Sequence, residues 1–381
     1  MDKDICNLLL RKVKSIMTVN TINEWGKLKE IIVGRVPNKY TIPIVKKRPF
    51  TNDDISLINK CSEEVFPKKM LLESQREIEN LCKIIKNFGA KVLRPNQEHV
   101  GKIYTTPYHH SIGEIVYNAR DLVLIVGNKI IECPSQEKYR LFETYGYYDI
   151  FQNYFKKGAE WISAPKPRIN KKNLIIKKKG NKKTQTLLNN EISFEAANVL
   201  KLGKDLLYLV SRSGNKLGAQ WLQQVVGREY KVHLTEGIYG GSHIDSTIMA
   251  LNPGLVLING SRVNKQNCPA ILKNWEKIYF TDIVETPKKI IDFHNKVRKK
   301  NYLILKKKGL ISDINHMASS WIGMNFLSLD KNTIVIDEIQ VKLIKLLEKM
   351  KFNVIPIKFS NSYFLKGGLH CCTLDTIRKS E

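Results

Sequence analysis

Residues 73–95 read ESQREIENLCKIIKNFGAKVLRP. Ile78, Leu81, Cys82 and Ile85 recur at i, i+3, i+4 and i+7, which places them on one face of a helix. Gly89 is positioned to end that helix, and Val92 with its neighbours reads as a short strand. The pattern returns twice. Residues 337–357, DEIQVKLIKLLEKMKFNVIPI, put Ile339, Leu343, Leu346, Leu347 and Met350 on a helical stripe with Asp337 as its N-cap. Residues 213–235, SGNKLGAQWLQQVVGREYKVHLT, repeat the order of helix then strand. Between these pieces lie apolar β-forming runs at 28–34, 121–134, 205–210, 254–260 and 325–337. Gly127-Asn128 and Asp330-Lys331-Asn332 interrupt two of them with turn residues, the mark of hairpins. A unit of strand, strand, helix, strand that recurs along one chain argues for an α/β ring of modules rather than a doubly wound sheet. Neither GxGxxG nor GxxxxGK[ST] occurs, so a nucleotide-binding fold has no motif behind it.

The chain has 381 residues and a formal net charge of +27, from 63 Lys and Arg against 36 Asp and Glu. That excess raises nucleic acid as a partner. The lysines are scattered, however, and no basic stretch interleaved with aromatics supports that reading. The densest run, 168–183, reads as a solvated surface loop. Residues 1–18 read as an N-terminal extension and 19–381 as a single domain. No apolar run approaches the roughly 20 residues of a spanning helix. Asp2 and Asp4 precede the short apolar stretch at 5–10, which argues against a signal or transit peptide. Seven cysteines, an odd number without a CxxC pair, fit a reducing cytoplasm.

Four short constellations can carry chemistry. Near the C-terminus, LKGGLHCCTLD sets Cys371 and Cys372 behind Gly367 and Gly368, where a thiol can be an exposed nucleophile or a small buried hydrophobe. In GGSHIDSTIM, His243 and Asp245 are two residues apart and share a face of an extended segment. Glu195 stands ahead of a small-residue turn in SFEAANVLKL, and Asp121 leads an apolar strand in NARDLVLIV. Each alone has an ordinary structural reading as a cap or a loop residue. In the order acid, acid, His-x-Asp, Cys they fit one reaction. A guanidinium is a resonance-stabilised cation, and attack on its carbon requires a thiolate. It also requires carboxylates to grip the N–H fork and an acid to protonate the departing amine. A nearby imidazolium and the substrate's own charge favour the thiolate.

With these residues in place, the chain resembles the amidinotransferases that act on glycine, on inosamine phosphate and in natural-product pathways. The likeness runs from VNTINEWGKLKEIIVGR at 19–35 through GAEWISAPKP at 158–167 to GGLHCCTLD at 367–375. It implies a pentein-type, five-bladed pseudo-symmetric α/β propeller of ββαβ modules. It implies Cys371 as nucleophile, His243 as general acid and base, and Glu195 as the carboxylate supporting the histidine and the guanidinium. Asp121 and Asp245 would hold the guanidinium, and Arg262 and Ser319 the arginine carboxylate. The implied partners are L-arginine and an amine acceptor, with no cofactor or metal; a homodimer is the assembly left open. The glycine enzyme has Asp where this chain has Glu195, and Met where it has Ser242. The smaller Ser242 suggests room for a larger acceptor. A hydrolase of the arginine deiminase type is the alternative on the same scaffold.

Overall fold

A computed structural model describes residues 18–113, 115–168, 174–179, 182–311 and 322–379, apart from the side chains of 174–179 and 182–186. Five three-stranded sheets share one topology: a middle strand pairs antiparallel on one side and parallel on the other. Val123–Val126 pairs antiparallel with Lys129–Glu132, which pairs parallel with Glu160–Ser163. Val199–Leu202, Asp205–Leu209 and Lys231–Thr235 repeat this, as do Ile248–Asn252, Leu255–Asn259 and Glu276–Phe280. Leu327–Ser328, Thr333–Asp337 and Asn353–Ile357 form another. The remaining sheet joins the two ends of the chain, with Leu28–Val33 antiparallel to Thr373–Arg378 and parallel to Lys91–Leu93.

The parallel step requires a crossover, and helices supply it in four modules. They are Asn52–Val65 with Lys68–Asn87, then Tyr148–Lys156, Lys216–Val226 and Val341–Lys349. The helix anticipated from 73–95 is the second of these. Its end follows from Gly89 at φ 92°, where the amides of Gly89 and Ala90 turn back to the carbonyls of Lys86 and Ile85. The fourth module departs from the expected pattern: Ala270–Leu272 is a single 3-10 turn and no α-helix intervenes. Pro269 and the polar run before it leave no apolar stripe to bury. Asp337 also departs from its assigned role. It ends a strand, and the following helix starts at Val341 with Gln340 at its N-cap.

The helix Lys288–Lys307 and two β elements lie outside the modules. A small antiparallel sheet joins Ile44–Lys46, His110–Ile112 and Tyr104–Thr105. The lysine-rich stretch is not simply a loop, because Leu174–Lys179 and Lys182–Leu187 pair as an antiparallel hairpin. The β-branched residues of LIIKKK and KKTQTL suit strands, and Gly180-Asn181 between them are turn-forming residues. Among the described residues, no helix is long and apolar enough to cross a membrane.

A buried ion network fastens the chain ends to the third module. Asp375, wholly inaccessible, pairs with Arg120, with Lys201 at 3.0 Å and with Arg378 at 2.9 Å. These cations hold its carboxyl well below the ordinary range against the opposing effect of burial. Removing one member of such a network leaves uncompensated charge in a water-poor interior. Asp375→Asn is expected to cost about 3–5 kcal/mol in a urea titration, with the loss visible as a lower midpoint at unchanged slope.

Candidate active site

The functional side chains occupy one position in every module, just ahead of its first strand. Asp121 precedes Val123–Val126, and Glu195 precedes Val199–Leu202. His243 and Asp245 precede Ile248–Asn252, Asn325 precedes Leu327–Ser328, and Cys371 precedes Thr373–Arg378. A short 3-10 or α turn lies at or beside four of these positions, so each side chain points out of the sheet as the backbone straightens.

Cys371 is nearly inaccessible, at 4% exposure. Its amide donates to Asn325 Oδ1 at 2.9 Å, and its Sγ donates to Asp245 Oδ2 at 3.4 Å. Burial, then the charges of Asp245 and Asp121, push the thiol well above its usual range. Burial and the two acids thus oppose the thiolate that a nearby imidazolium and the substrate's charge are expected to favour. Cys372 is buried in the apolar core, its Sγ donating to the Leu369 carbonyl at 3.5 Å, so the structural reading of a cysteine applies to it. The glycines ahead of the thiol are dictated by packing. A Cβ on Gly367 would fall 1.8 Å from Asn118 Oδ1, and one on Gly368 would fall 2.7 Å from Asn325 Oδ1.

His243 Nε2 donates to Glu195 Oε2 at 2.5 Å, and its Nδ1 lies 3.7 Å from Asp121 Oδ1. Burial alone would keep the imidazole neutral. The charge of Asp121 and the bond to Glu195 outweigh it and raise the pKa to about 9. Glu195 accepts from Ser135 Oγ at 2.6 Å and lies 3.5 Å from Arg140 Nη1. Despite burial, Arg140 and His243 bring its pKa down to about 2. Burial dominates at Asp121, whose carboxyl is raised even though Arg140 Nη1 donates to its Oδ2 at 2.9 Å. Among the described residues, the buried Asp121 Oδ1 has no hydrogen-bond partner.

Asp245 accepts from His370 Nδ1 at 3.0 Å, and that histidine brings its pKa down to about 2 against the effect of burial. Behind it, His370 Nε2 lies 3.3 Å from Glu24. Arg120 donates through Nε to the carbonyls of His370 and Thr373, 3.0 Å each. Glu24, Arg140, Asn325 and His370 were not assigned roles from sequence. Asn325 could have been found by asking which residue stands ahead of the fifth module's first strand. Arg140 and Glu24 had no local signal.

The other anticipated residues are less central. Arg262 donates to the Ser246 carbonyl and hydroxyl, 2.9 Å each, and to Thr247 Oγ1 at 2.8 Å, with its guanidinium 3.7 Å from the Tyr239 ring centroid. It is thereby tied to the segment carrying Asp245. Ser242 contributes its carbonyl, which accepts from Ser211 Oγ at 2.6 Å and holds the loop that presents His243. Ser319 lies outside the described residues. One ligand atom each from Asp121, His243 and Cys371 lie within 4.8 Å of one another, so a thiophilic cation would also find donors here.

Comparison with known proteins fits this arrangement. No family model matches the chain. It is 37% identical over 363 residues to inosamine-phosphate amidinotransferase 1 of Streptomyces glaucescens, covering 94% of this chain and 97% of that protein. It is 28% identical to the L-arginine:L-lysine amidinotransferase of Pseudomonas savastanoi pv. phaseolicola, over 98% of both. The solved inosamine-phosphate amidinotransferase of Streptomyces griseus superposes with a TM-score of 0.78 at 36% identity, covering 95% of this chain and 97% of that one. The protein is thus an α/β enzyme of the transferase class. It belongs to the amidinotransferase family.

The ion pair of His243 with Glu195 sets a pH dependence. The imidazolium is lost as pH rises through its pKa, so, with His243 in the acid role expected from the sequence, kcat/KM for an amidino donor should fall above about pH 9. Glu195→Gln removes a group that raises this pKa and should shift the falling limb to lower pH. A pH–rate profile of both proteins checks this, and an unshifted limb would remove Glu195 from its assigned role.

Proposed function

We propose that the chain moves the amidino group of L-arginine to an amine acceptor in two half-reactions through an amidino-Cys371 intermediate. The observation that carries this reading is Asp121 Oδ1, a buried carboxylate oxygen lacking a hydrogen-bond donor among the described residues, beside a buried thiol and a second carboxylate, Asp245. A planar guanidinium between Asp121 and Asp245 would satisfy the first and offer N–H groups to both.

Its charge also resolves the problem of the thiol. Without a ligand, the carboxylates and burial keep Cys371 protonated; a bound cation at the same place favours the thiolate. As the cation binds, the thiol releases its proton to solvent, and the thiolate attacks the guanidinium carbon, forming the C–S bond. The C–N bond to the ornithine side breaks, with the proton from His243 going to the departing nitrogen. An acceptor amine then attacks the amidino carbon, gives its proton to His243, and the thiolate leaves. Glu195 holds the imidazole at Nε2 throughout and steadies its charged form. Arg262 and Ser319 are the proposed carboxylate anchors of arginine, and Ser242 borders the acceptor.

For the acceptor, likeness to inosamine-phosphate amidinotransferases favours an aminocyclitol phosphate over an amino acid. We also infer that the five modules close into a five-bladed ring. Support comes from the residues ahead of five first strands, which share one pocket, and from the sheet that unites Leu28–Val33 with Thr373–Arg378. The six described cysteines are free thiols, the state that the cytoplasm maintains, and we place the enzyme there.

Rapid quench with arginine followed by mass spectrometry of the intact protein tests the covalent step. The wild type and Cys372→Ala should carry an added amidino group, and Cys371→Ala should not. An adduct that survives loss of Cys371 refutes the assignment. With arginine alone, citrulline as the main product would favour the hydrolase, while ornithine that rises with added amine supports the transferase.

A further inference from the structure

Asn118 stands just ahead of the single α turn Ala119–Leu122 that carries Asp121, and the half-reactions above do not use it. As the N-cap of that turn it would ordinarily accept a backbone amide, yet its side chain makes no such bond. Instead its Nδ2 donates across the fold to the carbonyls of Leu365 and Lys366, at 3.3 and 3.4 Å. The neighbouring Tyr117 hydroxyl donates to the Gly367 carbonyl at 3.1 Å. The stretch that leads into Asp121 is thereby tied to the stretch that leads into Cys371.

Both Nδ2 bonds run to carbonyls, so reversing the amide would set oxygen against oxygen. Oδ1 is the end left over. It is buried without a hydrogen-bond partner among the described residues, on a side chain whose residue is only 7% exposed. Gly367 shows what it faces. The place that a Cβ on Gly367 would take is 1.8 Å from Asn118 Oδ1 and 3.0 Å from Cys371 Cβ, so the missing side chain leaves the amide oxygen and the cysteine bordering one small gap. Asp121 Oδ1, the other unpaired acceptor of this stretch, also lies beside Cys371. A buried acceptor without a donor costs stability, and a ligand with several N–H groups would relieve both.

We propose that Asn118 touches the substrate, its Oδ1 accepting an N–H of the transferred amidino group beside Asp121. This rests on the transferase reading above. A guanidinium has more N–H donors than two carboxylates need. Asp121 already bears the charges of Glu195 and Asp245, so a neutral amide adds an acceptor without adding to that repulsion. Once ornithine has left, the amidino group on sulfur is still a planar cation with N–H groups. The same bond therefore serves both half-reactions, and it fixes the plane of the group for attack by the acceptor amine.

Two substitutions separate this contact from the bonds that Nδ2 makes. Asn118→Asp keeps acceptor oxygens but sets one against the Leu365 and Lys366 carbonyls, whereas Asn118→Leu keeps the bulk and has no polar group. Asn118→Leu should lower kcat/KM for arginine about tenfold, the scale of one hydrogen bond to a charged group, and Asn118→Asp should retain more activity than Asn118→Leu. A side chain that only holds the turn gives the opposite order, because Asp repels both carbonyls and Leu does not; that order overturns the proposal. Alkylation of Cys371 by iodoacetamide without arginine, read on its peptide, should run at close to the wild-type rate in Asn118→Leu. A loss there as large as the loss with arginine also overturns it. Should both variants fail to fold, a crystal structure of Cys371→Ser with arginine decides: Asn118 Oδ1 should lie about 3 Å from a guanidinium nitrogen, and a separation beyond hydrogen-bond reach refutes the contact. Absence of any amidino adduct from arginine in the wild type would instead strike the transferase reading itself.

Discussion

Three carboxylates, from Asp121, Glu195 and Asp245, crowd one buried pocket, and the rest of the site is arranged around the cost of keeping them there. Desolvation works against every one of them. Glu195 and Asp245 remain ionised because each has a histidine at hydrogen-bond distance, and Glu195 has Arg140 as well. Asp121 is left the least compensated, with a raised pKa and one oxygen that no described group hydrogen-bonds, His243 Nδ1 standing 3.7 Å away. The pocket thus has a deficit of positive charge at the spot facing the thiol. A cationic substrate would fill that deficit, and the same charge that binds it would ionise the nucleophile. Recognition and activation become one electrostatic event.

Beneath this layer lies a second one that does no chemistry of its own. Glu24, Arg120, Asp375, Lys201 and Arg378 form a buried network of alternating sign. It reaches the site through His370, which bridges Glu24 to Asp245, and through Arg120, which holds the carbonyls on either side of the two cysteines. The thiol is thereby fixed from behind by backbone groups, and from the front by Asn325 and Asp245. Positioning to within a fraction of an ångström is what such a supporting layer provides.

The sequence carried the modules and the reactive groups because both leave local signals. Helical stripes and apolar strand runs are periodic, and HID and GGLHCC are short in sequence. Arg140 and Glu24 were not legible, since their importance lies in contacts spanning 55 and 346 residues to Glu195 and His370. The fourth module was misread because recurrence suggested a helix where Pro269 and polar neighbours allow only a turn. The hairpin within the lysine-rich stretch was hidden by its charge, although its alternation with Ile and Thr was present in the letters. The thiol's resting state could not be read locally either, because it depends on acids brought from two other modules.

The pairing of Leu28–Val33 with Thr373–Arg378 has a bearing on how the molecule is made. Synthesis from the ribosome delivers the acids and His243 first, while the thiol and the strand that seals the first sheet emerge last. A nascent chain therefore holds an acid-lined cleft with no sulfur opposite it. With the thiol as the proposed nucleophile, reactivity would arise only when the final strand pairs with Leu28–Val33, and protein clipped near that end would be chemically silent.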